Sequence, residues 1–281
     1  MRPSGHCMIP FADYVAQIGF HTIQPDTPTG DEWWGSSFDD MAQVELANIR
    51  LPKTDVTPER LHALADIPRM STFANAAIIN YGVSCMAEHT CYLNIGVWQG
   101  FSFLAGMLGN PEKRCIGVDN FSMWDRDPSG HPAEPQFRTR FAQAKSSTHQ
   151  FYKMDYSHYL QAVHTQPIGF YFYDGPHNYM NQLQGLRLAE PFFADDCIVM
   201  VDDTNWPAPR NATFDFIANS RSQYRILLDQ RTVNEGGHPT FWNGLIIFQR
   251  IPDRTGVVCP SPALSASPAA NPLATHPSTT N

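Results

Sequence analysis

Two short apolar segments that end on acidic residues constrain the fold of this chain more than any other feature. Residues 168–173 are followed by Asp174, and residues 198–201 are followed by Asp202 and Asp203. Segments that are apolar at almost every position predict strands buried on both faces of a parallel sheet. Because ligands bind outside the carboxyl ends of the strands in such sheets, we expect the three carboxylates to meet at one binding edge.

Strand-like and helical segments alternate through the middle of the chain. The predicted strands are 91–96, 115–119, 151–155, 168–174, 197–203, 224–228 and 245–249, and the predicted helices between them are 101–108, 135–144, 157–164, 179–193 and 213–220. This alternation predicts an α/β protein with a parallel sheet and right-handed crossovers. The last two strands leave no room for a helix between them, so they are expected to be antiparallel to each other.

The two ends of the chain differ from this central part. Residues 1–86 are predicted to be an N-terminal extension, irregular up to residue 56, which then adds helices at about 57–66 and 71–86. Thr57 followed by a proline and a glutamate is a typical helix start. The α/β domain is predicted over 87–251. Residues 252–281 contain six prolines among Ser, Ala and Thr, and this composition predicts a disordered tail.

Composition excludes several classes of function. The net charge is −8 and the sequence has no Lys/Arg cluster, which argues against nucleic acid as a partner. Apolar runs are too short to span a membrane, and the first residues lack the apolar segment of a signal peptide. The six cysteines form no CxxC pair, so reduced thiols and a cytoplasmic location are expected. The sequence leaves the oligomeric state open, and a homo-oligomer is one alternative.

The first strand–helix turn and the ends of the next two strands are candidates for binding a ligand. Gly96 and Gly100 let the backbone turn tightly and approach a ligand, although a plain tight turn explains them equally well. Asp119, at the end of the second strand, could accept hydrogen bonds from a ribose. Asp155, at the end of the third strand, could meet an adenine amino group. Each of these carboxylates could instead cap the segment that follows it.

The acidic cluster at the fourth and fifth strands predicts metal chemistry. Asp174, Asp202 and Asp203 could share one divalent cation, which would lower the pKa of a bound hydroxyl. His177 follows three residues after Asp174 and could act as a general base. The alternatives are that the carboxylates cap helices and that the histidine caps the next helix.

The connection between the last two strands is expected at the same edge of the sheet. A flexible surface hairpin is the alternative interpretation of this connection. The further candidates for substrate contact are Glu235, Gly236, Gly237, His238, Trp206, Arg210, Trp33 and Trp34.

The ordered motifs of the chain resemble a known family. They are YLNIGVWQG at residues 92–100, IGVDNF at 116–121, FYDGPH at 172–177 and VDD at 201–203. Together they resemble class I S-adenosylmethionine-dependent methyltransferases, in particular the branch of macrocin-type sugar O-methyltransferases and relatives of cephalosporin hydroxylase. The resemblance covers about residues 70–250. It implies a Rossmann-like, doubly wound, seven-stranded sheet with helices on both faces and the last strand antiparallel.

The resemblance also implies roles for the candidate residues. Gly96 and Gly100 would surround the methionine part of the cofactor, with Asp119 at the ribose and Asp155 near the adenine. Asn94 stands where many members carry an acidic residue that contacts the cofactor amino group. The metal ligands would be Asp174, Asp202 and Asp203, and His177 has the spacing of a catalytic lysine in catechol-type relatives.

The function expected from the sequence is methyl transfer from S-adenosylmethionine to a hydroxyl of a sugar or other small molecule, assisted by Mg²⁺. One alternative is a metal-dependent hydroxylase-like enzyme of the same fold. A second is a non-catalytic module that binds a cofactor or sugar. A nicotinamide-dependent oxidoreductase is disfavoured because the GxGxxG motif is missing.

Overall fold

The computed structural model describes residues 8–30, 37–123 and 125–252. The candidate substrate residues Trp33 and Trp34, and the predicted disordered tail from residue 253 onward, lie outside the described residues. No helix within these three described stretches is both long enough and apolar enough to cross a membrane.

The N-terminal segment contains short regular elements. In chain order these are α1 (Phe11–Gln17), β1 (Gly19–Phe20), α2 (Phe38–Asn48), β2 (Ile49–Arg50), α3 (Pro58–Leu61) and α4 (Phe73–Cys85). Strands β1 and β2 pair antiparallel. The prediction that residues 1–56 are irregular is therefore wrong for much of the described part. Helix α1 has seven residues and the strands have two each, which is too short for apolar periodicity to be recognised.

Seven strands form the main sheet, and five helices connect most of them. The strands are β3 (Cys91–Ile95), β4 (Arg114–Asp119), β5 (His149–Lys153), β6 (Ile168–Tyr173), β7 (Phe193–Val201), β8 (Gln223–Gln230) and β9 (Leu245–Ile251). The helices are α5 (Phe101–Met107), α6 (Ala133–Ala144), α7 (Tyr156–Ala162), α8 (Tyr179–Ala189) and α9 (Pro207–Asn219).

The strand order is β5-β4-β3-β6-β7-β9-β8. Strands β3 to β7 are parallel to their neighbours among themselves, whereas β9 is antiparallel to both β7 and β8. This confirms the predicted Rossmann-like, mostly parallel seven-stranded sheet with the last strand antiparallel. The chain order reverses between β3 and β6, and a crevice for ligands is expected at that point, outside the carboxyl ends of these strands.

The two faces of the sheet bury separate apolar clusters. In β6 the rings of Phe170 and Phe172 belong to the cluster under α1, α4 and α5, while Tyr171 and Tyr173 belong to the cluster under α7, α8 and α9. The alternation follows from the period of two in a strand. Every residue of β6 is buried, as the unbroken apolar run of the sequence predicts.

The N-terminal segment packs into the first of these clusters. Tyr14 of α1 stacks on Tyr81 of α4 with 3.9 Å between ring centroids, and Phe11 meets Phe170 edge-on at 6.0 Å. The extension therefore covers one face of the sheet and shares its core. The proposed domain division at residue 86 stays a prediction.

The cysteines of the sheet match the expectation of buried thiols. Cys91, Cys115 and Cys197 are buried and free. Cys85 at the end of α4 differs, because it is disulfide-bonded. The expectation of reduced thiols is thus correct for the three strand cysteines and wrong for Cys85.

Candidate active site

A cavity of about 410 Å³ opens at the carboxyl ends of β3, β4, β6 and β7. Eight of the candidate residues line it directly: Gly96, Asp119, Asp155, Asp174, His177, Asp203, Trp206 and Gly236. Its position is the one predicted from the strand order. Most of the remaining wall is apolar or aromatic, which is typical of pockets for small molecules.

The turn after β3 brings its backbone against the end of β6. Gly96 has a φ of 83°, and a Cβ atom at this position would overlap the backbone carbonyl oxygen of Asp174. Only glycine combines this dihedral with so close an approach. The amide of Asp174 in turn donates to the carbonyl of Ile95 at 2.9 Å. The predicted glycine turn is therefore required by the contact between two strand ends that both face the cavity.

Asp119 ties the glycine turn to the end of β4. Its Oδ2 accepts hydrogen bonds from the backbone amides of Val97 at 2.7 Å and Trp98 at 2.8 Å. Its Oδ1 accepts from the amide of Phe121 at 2.7 Å. The carboxylate thus organises two loops of the cavity. An ionised carboxylate has about four acceptor positions, so it retains capacity for a ligand hydroxyl.

Asn94 and Gly100 shape the cavity from behind and do not line it. The amide of Asn94 accepts from the Tyr92 hydroxyl at 2.9 Å and donates to the carbonyl of Gly96 at 2.7 Å. Gly100 precedes α5 with a φ of 98°, and a Cβ atom there would press on the Phe137 ring. These positions do not support the prediction that Asn94 and Gly100 contact a cofactor. The side chain of Asn94 is fully buried, and it makes its hydrogen bonds to neighbouring residues of β3 and the turn.

Asp155 both caps a helix and lines the cavity, which are the two roles that the sequence left open. It caps α7 by accepting from the amides of Ser157 at 2.8 Å and His158 at 3.4 Å. It also lines the cavity, beside Met154 and Tyr156.

His177 bridges two of the predicted acidic residues. Its Nε2 lies 3.0 Å from Oδ2 of Asp203 and 3.4 Å from Oδ1 of Asp174. Burial lowers the pKa of His177, but the hydrogen bond to Asp174 and the charges of both carboxylates outweigh burial, so this pKa lies above its usual value. The Nδ1 atom of the ring is buried and has no hydrogen-bond partner among the described residues.

The carboxylates themselves are poorly solvated. Burial, followed by the nearby charges of Asp203 and Asp119, raises the pKa of Asp174 to about 6, although His177 lowers it. Asp203 keeps its second oxygen occupied, since Oδ1 accepts from Nδ2 of Asn243 at 2.9 Å.

Asp202 lies behind the site. It is 1% exposed, does not line the cavity, and its Oδ1 has no partner among the described residues. Burial first, and then the charges of Asp174 and Asp203, raise its pKa well above the usual range. Burial thus favours the neutral carboxyl of Asp202 over its carboxylate.

The arrangement does not fit the predicted magnesium site. The imidazole of His177 bridges Asp174 and Asp203, where a cation shared by them would sit. Across the described part of the chain, no three His, Cys, Asp or Glu side chains are grouped so that they could hold a metal ion. A magnesium ion prefers six oxygen ligands in near-octahedral geometry, and this histidine-centred set does not offer them.

The connection between β8 and β9 reaches the cavity as predicted, through the candidate Gly236 and through Trp242 and Asn243, which were not candidates. Gly236 lines the cavity, whereas His238 is fully buried and bonds the Thr240 hydroxyl at 2.7 Å and the Thr27 carbonyl at 2.9 Å. His238 is therefore a structural residue that anchors this connection. The alternative of a flexible hairpin does not fit so many buried bonds.

Of two further candidates, one lines the cavity and the other does not. Trp206 lines the cavity and packs edge-on against His177, with 6.0 Å between ring centroids. Arg210 instead pairs with Asp229 through two bonds of 2.7 Å on the surface.

Sequence reasoning missed several residues of the wall. Arg69, Met70 and Ser71 precede α4, and Trp242 and Asn243 precede β9. None belongs to a motif with a recognisable spacing, because the fold brings them to the cavity from distant segments. A cationic residue inside an apolar stretch at 67–70 was the one available signal.

The sequence of residues 93–204 matches the family model described as a methyltransferase domain. Most of the residues that line the cavity lie within the matched stretch. The match spans less than half of the chain, from β3 to the residue after Asp203, and it contains the glycine turn, Asp119 and the acidic cluster. It confirms the prediction of a methyltransferase at the level of the domain. No curated protein matches the chain in sequence.

Solved structures share the fold of this chain. A protein from Corynebacterium glutamicum has a TM-score of 0.51 and 10% identity, covering 72% of this chain and 93% of that one. At such low identity the similarity shows the fold alone. An O-methyltransferase from Bacillus cereus in complex with SAH has a TM-score of 0.45 and 15% identity, covering 79% of this chain and 92% of its own. The O-methyltransferase TomG from Streptomyces achromogenes, in complex with SAM, has a TM-score of 0.44 and 15% identity, covering 79% and 91%.

Backbone strain among the described residues is concentrated around the cavity. Four described residues other than glycine have positive φ: Trp98, Phe121, Asp203 and Trp242. Three of them line the cavity, and the fourth, Phe121, donates its backbone amide to the carboxylate of Asp119. Such dihedrals cost about 1–3 kcal/mol each and persist where surrounding contacts fix them, as they do at functional sites.

Proposed function

We propose that the chain is an S-adenosylmethionine-dependent O-methyltransferase that acts on a hydroxyl of a small molecule. The observation that carries this proposal is the pairing of His177 with Asp203 and Asp174 in the wall of the cavity, beside the turn at Gly96 and Asp119. A base and a cofactor cradle thus face one enclosed space within a methyltransferase domain.

The wall formed by β3, β4 and β5 suits the cofactor. Asp119 would accept from the ribose hydroxyls, and Asp155, Met154 and Met123 would surround the adenine. Gly96 would allow the cofactor to approach the backbone. When bound, S-adenosylmethionine supplies a methyl carbon whose bond to sulfur breaks as the bond to the acceptor oxygen forms.

His177 would take the proton of the acceptor hydroxyl. Since Nε2 faces the two carboxylates, a neutral imidazole carries its hydrogen on Nε2 and leaves the lone pair on Nδ1. The acceptor proton would move to Nδ1, and Asp203 and Asp174 would stabilise the resulting imidazolium. Such a base contributes about 10²–10⁴-fold to the rate.

The acceptor would enter beside Trp206. Nδ1 of His177 is shielded in this structure, and Trp206, which is 40% exposed, is the ring that packs on the imidazole. Displacement of the indole by the acceptor would open this face. Trp206, Trp242 and the amide of Asn243 would flank the acceptor, a set that suits a sugar or another hydroxylated ring.

Magnesium is not required by this arrangement. The positive charge between Asp174 and Asp203 is supplied by protonated His177 during the reaction. We therefore propose that the residues of this chain remove the proton without a metal, in place of the Mg²⁺ assistance expected from the sequence.

The test is a methyl-transfer assay on a panel of sugar and phenolic acceptors, followed by release of S-adenosylhomocysteine and by product mass. We expect a product heavier by one CH₂, made equally in EDTA and in Mg²⁺, and an about 10²–10⁴-fold slower reaction for His177→Gln. A product heavier by one oxygen would indicate hydroxylation and contradict the proposal. Dependence of turnover on Mg²⁺ would contradict the metal-free base.

A further inference from the structure

Arg69 is an unusual component of the cavity wall. Its side chain is 0% exposed, yet the residue lines the cavity together with Ser71 and Ser102. Arginine is rarely buried without a compensating partner and a specific role. Nothing in the base or in the ribose and adenine contacts described above uses it.

The guanidinium of Arg69 is held rigidly from one side. Nη2 donates to Oε1 of Glu45 in α2 at 3.0 Å, and Nη1 donates to the carbonyls of Phe38 at 3.3 Å and Ala65 at 3.2 Å. Its central carbon lies 4.9 Å from the centroid of the Phe73 ring and 5.3 Å from that of Phe101. Phe101 is the first residue of α5, so the guanidinium lies beside the end of the glycine turn.

One hydrogen-bond donor of the Arg69 guanidinium is unused. Nε of Arg69 is buried and has no hydrogen-bond partner among the described residues. An unpaired buried donor on a charged group is costly, so a partner is expected when the site is filled. Glu45 cannot supply a second bond freely, because its Oε2 accepts from the amide of Phe73 at 2.6 Å.

The position of Arg69 identifies which group it would meet. Under the proposed function, Asp119 marks the ribose and His177 marks the transferred methyl group. The amino-acid part of the cofactor then extends to the remaining wall, where Gly96, Ser102 and Arg69 lie. The only negative charge in the cofactor is the carboxylate of that part.

We infer that Arg69 binds the carboxylate of the amino-acid part of the cofactor, with its buried Nε as a donor. This inference rests on the proposed function. Glu45 is then a positioning residue, which orients the guanidinium from α2 and limits the excess positive charge near the sulfonium. The N-terminal extension thereby contributes to the cofactor site through the Glu45–Arg69 pair.

The test compares two ligands by calorimetry. S-adenosylhomocysteine contains the amino-acid part, whereas 5′-methylthioadenosine has the same adenine, ribose and thioether sulfur without it. For Arg69→Met we expect the affinity for S-adenosylhomocysteine to fall by about 10- to 100-fold, as for loss of a charge-assisted bond, and that for methylthioadenosine to stay within about 2-fold.

Two further variants keep the test decisive. Arg69→Met leaves Glu45 buried without its partner, which could prevent folding. The double variant Arg69→Met, Glu45→Gln removes both charges and should show the same ligand selectivity. Glu45→Gln alone breaks the ion pair but keeps the guanidinium, so its preference for S-adenosylhomocysteine should persist.

The outcomes separate clearly. An equal loss of both affinities in folded Arg69→Met and in the double variant would show a purely structural residue and overturn the inference, as would no loss at all. Wild-type protein that binds methylthioadenosine as tightly as S-adenosylhomocysteine would also overturn it, while leaving the methyltransferase proposal intact. Wild-type protein that binds neither ligand would contradict the proposed function itself.

Discussion

Nε2 of His177 lies 3.0 Å from Oδ2 of Asp203, and Oδ1 of the same carboxylate is held by the Asn243 amide at 2.9 Å. The strained φ of 58° at Asp203 points its side chain into this contact directly after β7. A chain of two hydrogen bonds therefore fixes the imidazole of His177 against one edge of the cavity. The proposed base catalysis therefore depends on the ionisation of His177.

The first prediction concerns the pKa of His177. Asp203→Asn removes a negative charge that raises the pKa of His177, so this pKa should fall in the variant. The pKa is measured by NMR from the ring resonances of His177. Under the proposed function the neutral imidazole is the active form, so the acidic limb of the rate profile should move to lower pH in the variant. Asp195→Asn, at an exposed position at the far end of β7, should leave both curves unchanged.

The second prediction concerns the close approach at Gly96. Gly96 and Gly130 have nearly equal φ values, 83° and 84°, but a Cβ atom meets the Asp174 carbonyl at the first and open space at the second. Gly130→Ala should lower the free energy of unfolding by about 1 kcal/mol through strain alone. Gly96→Ala should lower it by about 2 kcal/mol or more beyond that, because the backbone must move. Urea unfolding measures both, and equal losses would show that the two strand ends are not in tight contact.

The third prediction concerns the buried Glu45. Burial outweighs the effects of Arg69 and the Phe73 amide and raises the pKa of Glu45 to about 7. A carboxyl with such a raised pKa stabilises the folded protein fully at pH values below its pKa in the unfolded chain. This stabilisation is lost as the pH rises through its pKa in the folded protein. The advantage in unfolding free energy of wild type over Glu45→Gln should therefore shrink by up to about 3 kcal/mol between about pH 4.5 and 8.

Urea titrations at several pH values provide the measurement for Glu45. The exposed Glu112→Gln variant is the control and should show no comparable change over the same interval. A constant difference between wild type and Glu45→Gln would mean that Glu45 stays ionised beside Arg69 throughout.

The fourth prediction concerns metal removal. Because His177 bridges the carboxylates that a cation would need, Mg²⁺ should produce no saturable heat in calorimetry, and EDTA should leave the affinity for S-adenosylhomocysteine unchanged. His177→Ala opens the space between Asp174 and Asp203 and should create weak Mg²⁺ binding that wild type lacks. Saturable Mg²⁺ binding by wild type, with loss of the His177–Asp203 contact, would contradict this view of the site.

Much of the fold could be predicted because it follows from local patterns. The unbroken apolar run of β6 and the alternation of strands and helices specify a parallel sheet, and the strand ends place Asp119, Asp155 and Asp174 at one edge. Gly96 was recognisable because only glycine tolerates a positive φ so near another backbone. These signals lie within a few residues of the feature that they predict.

The features that the sequence did not predict have a different physical origin. The family resemblance placed Asn94 at the cofactor, whereas in the structure its side-chain amide bonds Tyr92 and Gly96. Asp202 and Asp203 are adjacent in sequence and face different environments, one buried and one at the cavity. Arg69 is paired at the site with Glu45, which α2 supplies from a distant segment. Side-chain direction and long-range partners of this kind leave no periodic trace in a single sequence.

The most direct measurement is calorimetric titration of S-adenosylmethionine and S-adenosylhomocysteine into wild type and Asp119→Ala. We expect wild type to bind both ligands saturably at about micromolar affinity, and Asp119→Ala to bind them at least about 10-fold more weakly. Circular dichroism of the variant separates loss of the ribose contact from unfolding of the loops that Asp119 holds. No saturable heat with either ligand, from folded wild-type protein, would contradict the central claim that this cavity is a methyltransferase cofactor site.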